Sequence, residues 1–193
     1  MGLTAIYIVS RTAVCIGLGL ALPALAQTAP RLPAVVTSVL DGDTIKVQLE
    51  SGPMVVRLAN IDAPELGQSG GGTAARALDE RLLAREVSLD VVKRDGQEQI
   101  VAVVYLGEEN INAWLVKQGH AWAYRQFTQD ANYCVWENAA RTLRRGLWAD
   151  PGWVAPWEWR QAKRDASFFV SDYSRISSAG CIREMGNAQI FDD

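Results

Sequence analysis

Two short acidic runs carry the residue types that could do chemistry. The first is Asp41-Gly42-Asp43, the second Asp62-Ala63-Pro64-Glu65, and Arg57 stands between them. The chain alternates apolar and polar residues over 44–49, turns at Ser51-Gly52-Pro53 and is apolar-rich again over 54–61, the pattern of a β-hairpin. A hairpin centred on Gly52 sets Asp43 opposite Ile61 and Asp62, with Asp41 and Glu65 close by. Carboxylates gathered at one strand end repel one another unless a cation sits among them. No histidine or cysteine lies nearby, so all ligands would be oxygen, which selects a hard cation such as calcium or magnesium. Taken alone, Asp-Gly-Asp reads better as a solvated turn, and Arg57 as an outward-facing strand residue on a solvated edge. The facing acidic run makes the group a candidate site.

Composition removes most competing chemistries. The chain has 193 residues, enough for one sizeable domain, and 49% of them are apolar, so it is not a disordered chain. Its single histidine, His120, excludes two-histidine acid/base sites and HExxH proteases, and the absence of CxxC and GxxxxGK[ST] excludes thiolate zinc ribbons and the common ATP-binding loop. His120 itself, beside Gly119 where a helix ends, reads as a packed or surface residue.

The elements that must position the acids follow from periodicity. Strands are expected over 34–40, 44–49, 54–61, 87–91 and 99–105. A glycine-rich loop at 63–72 leads into a helix that repeats Ala74, Leu78 and Leu82 and ends near Arg85. A short helix follows at 111–118 and a longer one at 130–145, which Gly146 stops. The fold class is therefore α+β: a five-stranded OB-type β-barrel with a helix inserted after the third strand and two C-terminal helices. The seven tryptophans, from Trp114 to Trp159, read as core between these helices and the barrel. Arg141, Arg144, Arg145, Arg160, Lys163 and Arg164 read by default as a solvated basic helix face, with a groove for a phosphate backbone as the lesser reading.

Residues 1–26 read as a signal peptide: Arg11 precedes an uncharged apolar run that ends Ala24-Leu25-Ala26. Export to the periplasm or the extracellular space is expected, with no stable membrane association after cleavage. Removing the segment takes away one arginine and no acid, which moves the formal net charge from −3 to −4. A polyanion would then need a local basic patch or a metal to bind. Residues 27–33 read as a leader and 161–193 as a tail, which Phe168, Phe169, Val170 and Tyr173 could dock. After cleavage only Cys134 and Cys181 remain, and an oxidising compartment lets them pair and tie the tail to the long helix.

The motif Asp41-Gly42-Asp43-Thr44-Ile45, then Arg57-Leu58, then Ile61-Asp62-Ala63-Pro64-Glu65, resembles the staphylococcal nuclease (thermonuclease) family. The likeness extends through Gln68, Gly71, residues 101–105, Asn112, Gly119, Gly146-Leu147-Trp148 and residues 156–160, and so covers about 34–160. It implies an OB-type nuclease-like domain and a calcium-dependent phosphodiesterase acting on DNA and RNA; a monomer is expected. By the same resemblance Asp43, Asp62 and the carbonyl of Ala63 would hold the metal, Glu65 would be the general base and Arg57 would clamp the phosphate. Such chemistry needs these types, because a cation and a guanidinium absorb the charge that builds on an attacked phosphodiester.

One position departs from the family. Its second motif carries an arginine where this chain has Gln99, and losing a preorganised cationic donor costs about a hundredfold to a thousandfold in rate. Lys93 and Arg94, just before that turn, are the nearby cations that could replace it. Two functions remain: a metal-dependent nuclease, slowed by Gln99, and an oligonucleotide-binding barrel with weakened catalysis.

Overall fold

A computed structural model describes residues 30–168, 171 and 177–185. The expected signal peptide lies outside these residues, as do Phe169, Val170 and Tyr173. Strands β1 (Leu32–Val39), β2 (Thr44–Leu49) and β3 (Gly52–Leu58) form an antiparallel meander. A two-residue strand β4 (Ile61–Asp62) and helix α1 (Gly71–Leu82) follow. Strand β5 (Glu86–Asp95) returns antiparallel to β1, and β6 (Gln99–Leu106) pairs antiparallel with β5. Parallel pairing of β6 with β3, from Val55 opposite Gln99 to Leu58 opposite Ala102, closes the five long strands into a barrel. The expected OB-type α+β architecture is therefore present. Closure leaves no free edge on these strands.

Alternation drives the barrel. Ile45, Val47, Val56, Leu58, Val87, Leu89, Ile100, Ala102 and Val104 are buried, while the residues between them mostly face outward. Helix α1 covers one end with Ala74, Leu78 and Leu82, a helical stripe buried completely. After β7 (Glu109–Asn110), the Asn110 side chain caps α2 (Ile111–Lys117) by accepting from the Ala113 amide. Asn112, fully buried, accepts from Val104 N at 3.0 Å and donates to the carbonyls of Ala59 at 2.9 Å and Ala102 at 3.1 Å. It locks the corner after β3, from which the second acidic run departs.

Several expectations need correction. The leader expected at 27–33 already contains the start of β1, because Leu32 and Pro33 pair with Leu89 and Ser88. The turn at the hairpin tip involves Glu50 and Ser51, while Gly52 and Pro53 sit in β3 opposite Leu49 and Gln48. Helix α1 begins at Gly71, inside the stretch read as loop, and the long helix is α3 (Asn132–Thr142). The described C-terminal region holds more than two helices. A short strand β8 (Trp122–Ala123) pairs with β4, and a 3-10 turn (Gly146–Ala149), α4 (Pro156–Arg164) and α5 (Ser178–Glu184) follow α3. Helix α4 runs across the boundary expected at residue 160.

Buried charge holds these additions together. Glu137 on α3 accepts from the β8 amide of Ala123 at 2.8 Å and pairs with Arg125 at 2.9 Å and Arg141 at 2.8 Å, all almost without solvent access. Arg141, read as part of a solvated face, is instead buried against Glu137 and the rings of Trp122 and Trp148. The tryptophan expectation holds: Trp122, Trp148, Trp153 and Trp157 form a second core.

Cys134 on α3 and Cys181 on α5 form a disulfide across 47 residues of sequence. A ring of that size stabilises by about 2–4 kcal/mol, chiefly by restricting the unfolded chain. The double substitution Cys134→Ser with Cys181→Ser is expected to lower unfolding free energy by that amount in urea titrations. Titration of the denatured, unreduced wild type should find neither of these thiols; two reactive thiols from this pair would contradict the bond.

Candidate active site

The two acidic runs do meet, by a different path from the one expected. Thr44 lies opposite Arg57 and Leu49 opposite Gly52, so simple hairpin extension sets Asp43 against Leu58 rather than Ile61, and the Asp43 carbonyl accepts from Leu58 N at 2.8 Å. The chain then turns at Asn60, whose φ of 68° is positive, and Ile61 and Asp62 pair with Ala123 and Trp122 of β8. This corner, not the hairpin register, brings Asp62 and Ala63 beside Asp43. The Ala63 amide donates to Asp43 Oδ2 at 2.8 Å. Thr44 Oγ1 donates to Asp43 Oδ1 at 3.0 Å, and Asp41 Oδ1 accepts from the Asp43 amide at 3.0 Å. Gly42 is required here, since a Cβ would lie 2.6 Å from Ala63 Cβ and 2.8 Å from Ala74 Cβ.

Asp43 and Asp62 are both buried, at 5% and 0% exposure. Burial, and then the charge of Asp62, push the Asp43 carboxyl up to about 7. Burial also raises Asp62, against the opposing pull of Arg160 and Arg57. The expected gathering of four acids is not what forms: among the described residues no group of three or more acids, histidines or cysteines could hold a metal ion. Asp41 is occupied as the cap of its own turn, and Glu65 is held in an ion pair. What remains is two buried carboxylates with the Ala63 backbone between them. These all-oxygen donors would suit a hard divalent cation whose other ligands are waters.

Two guanidinium groups converge on Asp62. Arg57 Nη2 lies 3.3 Å from Asp62 Oδ1, with the Arg57 side chain 38% exposed. Arg160, on α4, donates from Nη2 to Asp62 Oδ2 at 2.7 Å and from Nη1 to Asp62 Oδ1 at 3.1 Å and Glu65 Oε1 at 2.8 Å. The basic-face reading of Arg160 is thus overturned: this residue closes the acid cluster. The available sequence signal was Trp157-Glu158-Trp159-Arg160. Positions 157 and 160 share a helix face, and Trp157 packs edge-on against Trp122, the cross-strand partner of Asp62.

The other sequence candidates fall outside this cluster. Gln99 opens β6 opposite Val55 and Asp95. Lys93 and Arg94 pair in register with Val101 and Ile100, and the ion pairs of Asp62 and Glu65 are made by Arg57 and Arg160 instead. His120 is partly buried, its imidazole pushed to lower pKa by that burial, with its ring 5.7 Å from Trp114. The loop that carries Glu65 is pinned by Gln68, which accepts from Glu65 N at 3.3 Å and donates to Val154 O at 2.7 Å. A cavity of about 460 Å³ opens beside that loop, lined by Pro64, Gln68, His120, Trp153 and Trp159 among others.

The raised Asp43 carboxyl has a stability consequence. A carboxyl whose folded pKa exceeds its unfolded value disfavours the fold once ionised, so this cost is absent below the unfolded pKa near 3.8 and grows as pH rises through about 7. In the presence of chelator, Asp43→Asn is expected to be more stable than wild type at pH 8.5 by roughly 1–2 kcal/mol, and the advantage should shrink toward pH 5. Thermal melts at the two pH values check it; a variant less stable at pH 8.5 would contradict the assignment.

Comparison with known proteins gives the family. Residues 55–150 match the family described as staphylococcal nuclease homologue. A protein of Shigella flexneri named micrococcal nuclease is 39% identical over 143 residues, which span 68% of this chain and 82% of that one. An uncharacterised endonuclease of Haemophilus influenzae is 35% identical over 145 residues, 75% of this chain and 80% of its own. An uncharacterised endonuclease of Escherichia coli is 38% identical over 129 residues, 66% and 84% of the two chains. With a closed OB-type barrel, buried paired carboxylates and these relatives, the chain belongs to the staphylococcal nuclease family.

Proposed function

We propose that the chain is a calcium-dependent phosphodiesterase that hydrolyses DNA or RNA. The observation that carries this reading is the buried pair Asp43 and Asp62, joined through the Ala63 amide and flanked by Arg57 and Glu65 at one end of the barrel. Asp43, Asp62 and the Ala63 carbonyl would hold the cation, whose bound form lowers the charge on the phosphate. Arg57, partly exposed, holds phosphate oxygens, and its planar fork suits them better than an ammonium does. Glu65, with a side chain 35% exposed, is open to water. It takes a proton from the water whose oxygen bonds to phosphorus. The bond from phosphorus to the departing sugar oxygen breaks, and that oxygen takes a proton from solvent.

Export is part of the same reading: residues 1–26 act as a signal peptide, and the Cys134–Cys181 disulfide suits an oxidising compartment. The mature chain acts as a monomer, free of the membrane. No helix among the described residues is long and apolar enough to cross one.

Calcium binds the folded acid pair and not the unfolded chain, so it should raise the melting temperature; a concentration of about a hundred times Kd adds roughly 2.7 kcal/mol. Asp43→Ala combined with Asp62→Ala is expected to abolish that response, and a full response in the double variant would place the cation elsewhere. Activity gels with single-stranded DNA and with RNA should show clearing in calcium and none in chelator. Glu65→Gln should cut turnover by about a hundredfold or more, as loss of a general base does. Wild type that clears neither substrate with any divalent cation would leave an oligonucleotide-binding barrel as the better reading.

A further inference from the structure

Arg160 is held too specifically for a surface cation. Its fork spans both oxygens of fully buried Asp62 and reaches Glu65, while a quarter of its side chain stays open to solvent. The helix behind it is anchored. Trp157 stacks on Tyr124 with ring centroids 5.6 Å apart and packs edge-on against Trp122, and buried Glu158 accepts from the Ser171 amide at 3.0 Å. Charge balance shows what such a group can do. With Asp43, Asp62 and Glu65 ionised, a divalent cation and Arg57 together only cancel them. A phosphodiester carries one negative charge and gains another as the attacking oxygen adds, and one further guanidinium is needed to meet it.

We propose that Arg160 is the second guanidinium of the active site, a catalytic residue that supplies from α4 the positive charge which Gln99 cannot supply from β6. This rests on the nuclease reading above. Arg57 and Arg160 approach Asp62 from different segments, β3 and α4, and leave the phosphate between two forks. When a phosphodiester enters, Arg160 gives up its bond to Glu65 Oε1 for a phosphate oxygen. The exchange frees that carboxylate oxygen for the attacking water. Arg160 thus ties release of the base to arrival of substrate, and a residue that only neutralised buried Asp62 would have no need to reach Glu65.

The test is a double-mutant cycle between positions 160 and 99, read as kcat and KM on single-stranded DNA in calcium, with circular dichroism confirming the fold. Arg160→Gln is expected to lose a hundredfold or more, chiefly in kcat, because the contact strengthens as charge develops. Gln99→Arg alone should change kcat less than threefold, since the second charge is already present. In the Arg160→Gln background the same substitution should restore at least tenfold. A counterion role for Arg160 would not give this rescue, because an arginine at 99, two residues along β6 from the partner of Arg57, adds charge on the Arg57 side of the site and not the bonds to Asp62. Should Arg160→Gln misfold, Arg160→Lys keeps the charge without the fork and is expected to lose at least tenfold in kcat. An active wild type with Arg160→Gln within threefold of it, no rescue by Gln99→Arg, or wild-type turnover in Arg160→Lys would each overturn the proposal. A wild type inactive on DNA and RNA with every divalent cation overturns the nuclease reading first and this proposal with it.

Discussion

Two carboxylates buried side by side are the constraint around which one end of this molecule is arranged. Asp43 and Asp62 would repel each other and lose hydration, so the surrounding chain offers donors: the Ala63 amide and Thr44 hydroxyl to Asp43, and two guanidinium groups to Asp62. The space is tight enough that Gly42 has no room for a side chain against Ala63 and Ala74. Such an arrangement costs stability and is retained at a site where charge must be handled away from water.

The barrel matters because it is rigid where the acids need it to be. Closure through β3 and β6 fixes the strand ends, and Asn112 holds the corner at Ala59 by bonding three backbone groups. Asp62 is then set by pairing with β8, which is itself fastened to α3 through Glu137. The C-terminal helices are therefore part of the site's support, and α4 also contributes a side chain to it.

The strands are legible in the sequence because one face of each is buried, and the alternation at 44–49 matches a period of two residues and no helical one. The hairpin register is not legible, since Ser51-Gly52-Pro53 carries every turn signal while Gly52 and Pro53 continue the strand. Sequence brings Asp43 and Asp62 together although by the wrong register: what joins them is the corner at Asn60, which no periodicity announces. Arg160 is hidden by Lys163 and Arg164, which make it look like one more cation on a wet helix. Its difference lies in a tertiary contact, Trp157 on Trp122, of which the sequence shows only the helix face that positions 157 and 160 share. The disulfide is readable by counting, because beyond the expected signal peptide only two cysteines are left to pair.

The disulfide has a further consequence for how the molecule meets proteases. Residues 150–152, between the 3-10 turn and α4, are exposed and lack regular structure, which is where a chain of this kind is cut. Cys134 lies before that stretch and Cys181 after it, so a cut there yields two polypeptides that remain one molecule. The fragment bearing Arg160 stays leashed to α3 and can dock again on Trp122. Only reduction, after the cut, sets it free.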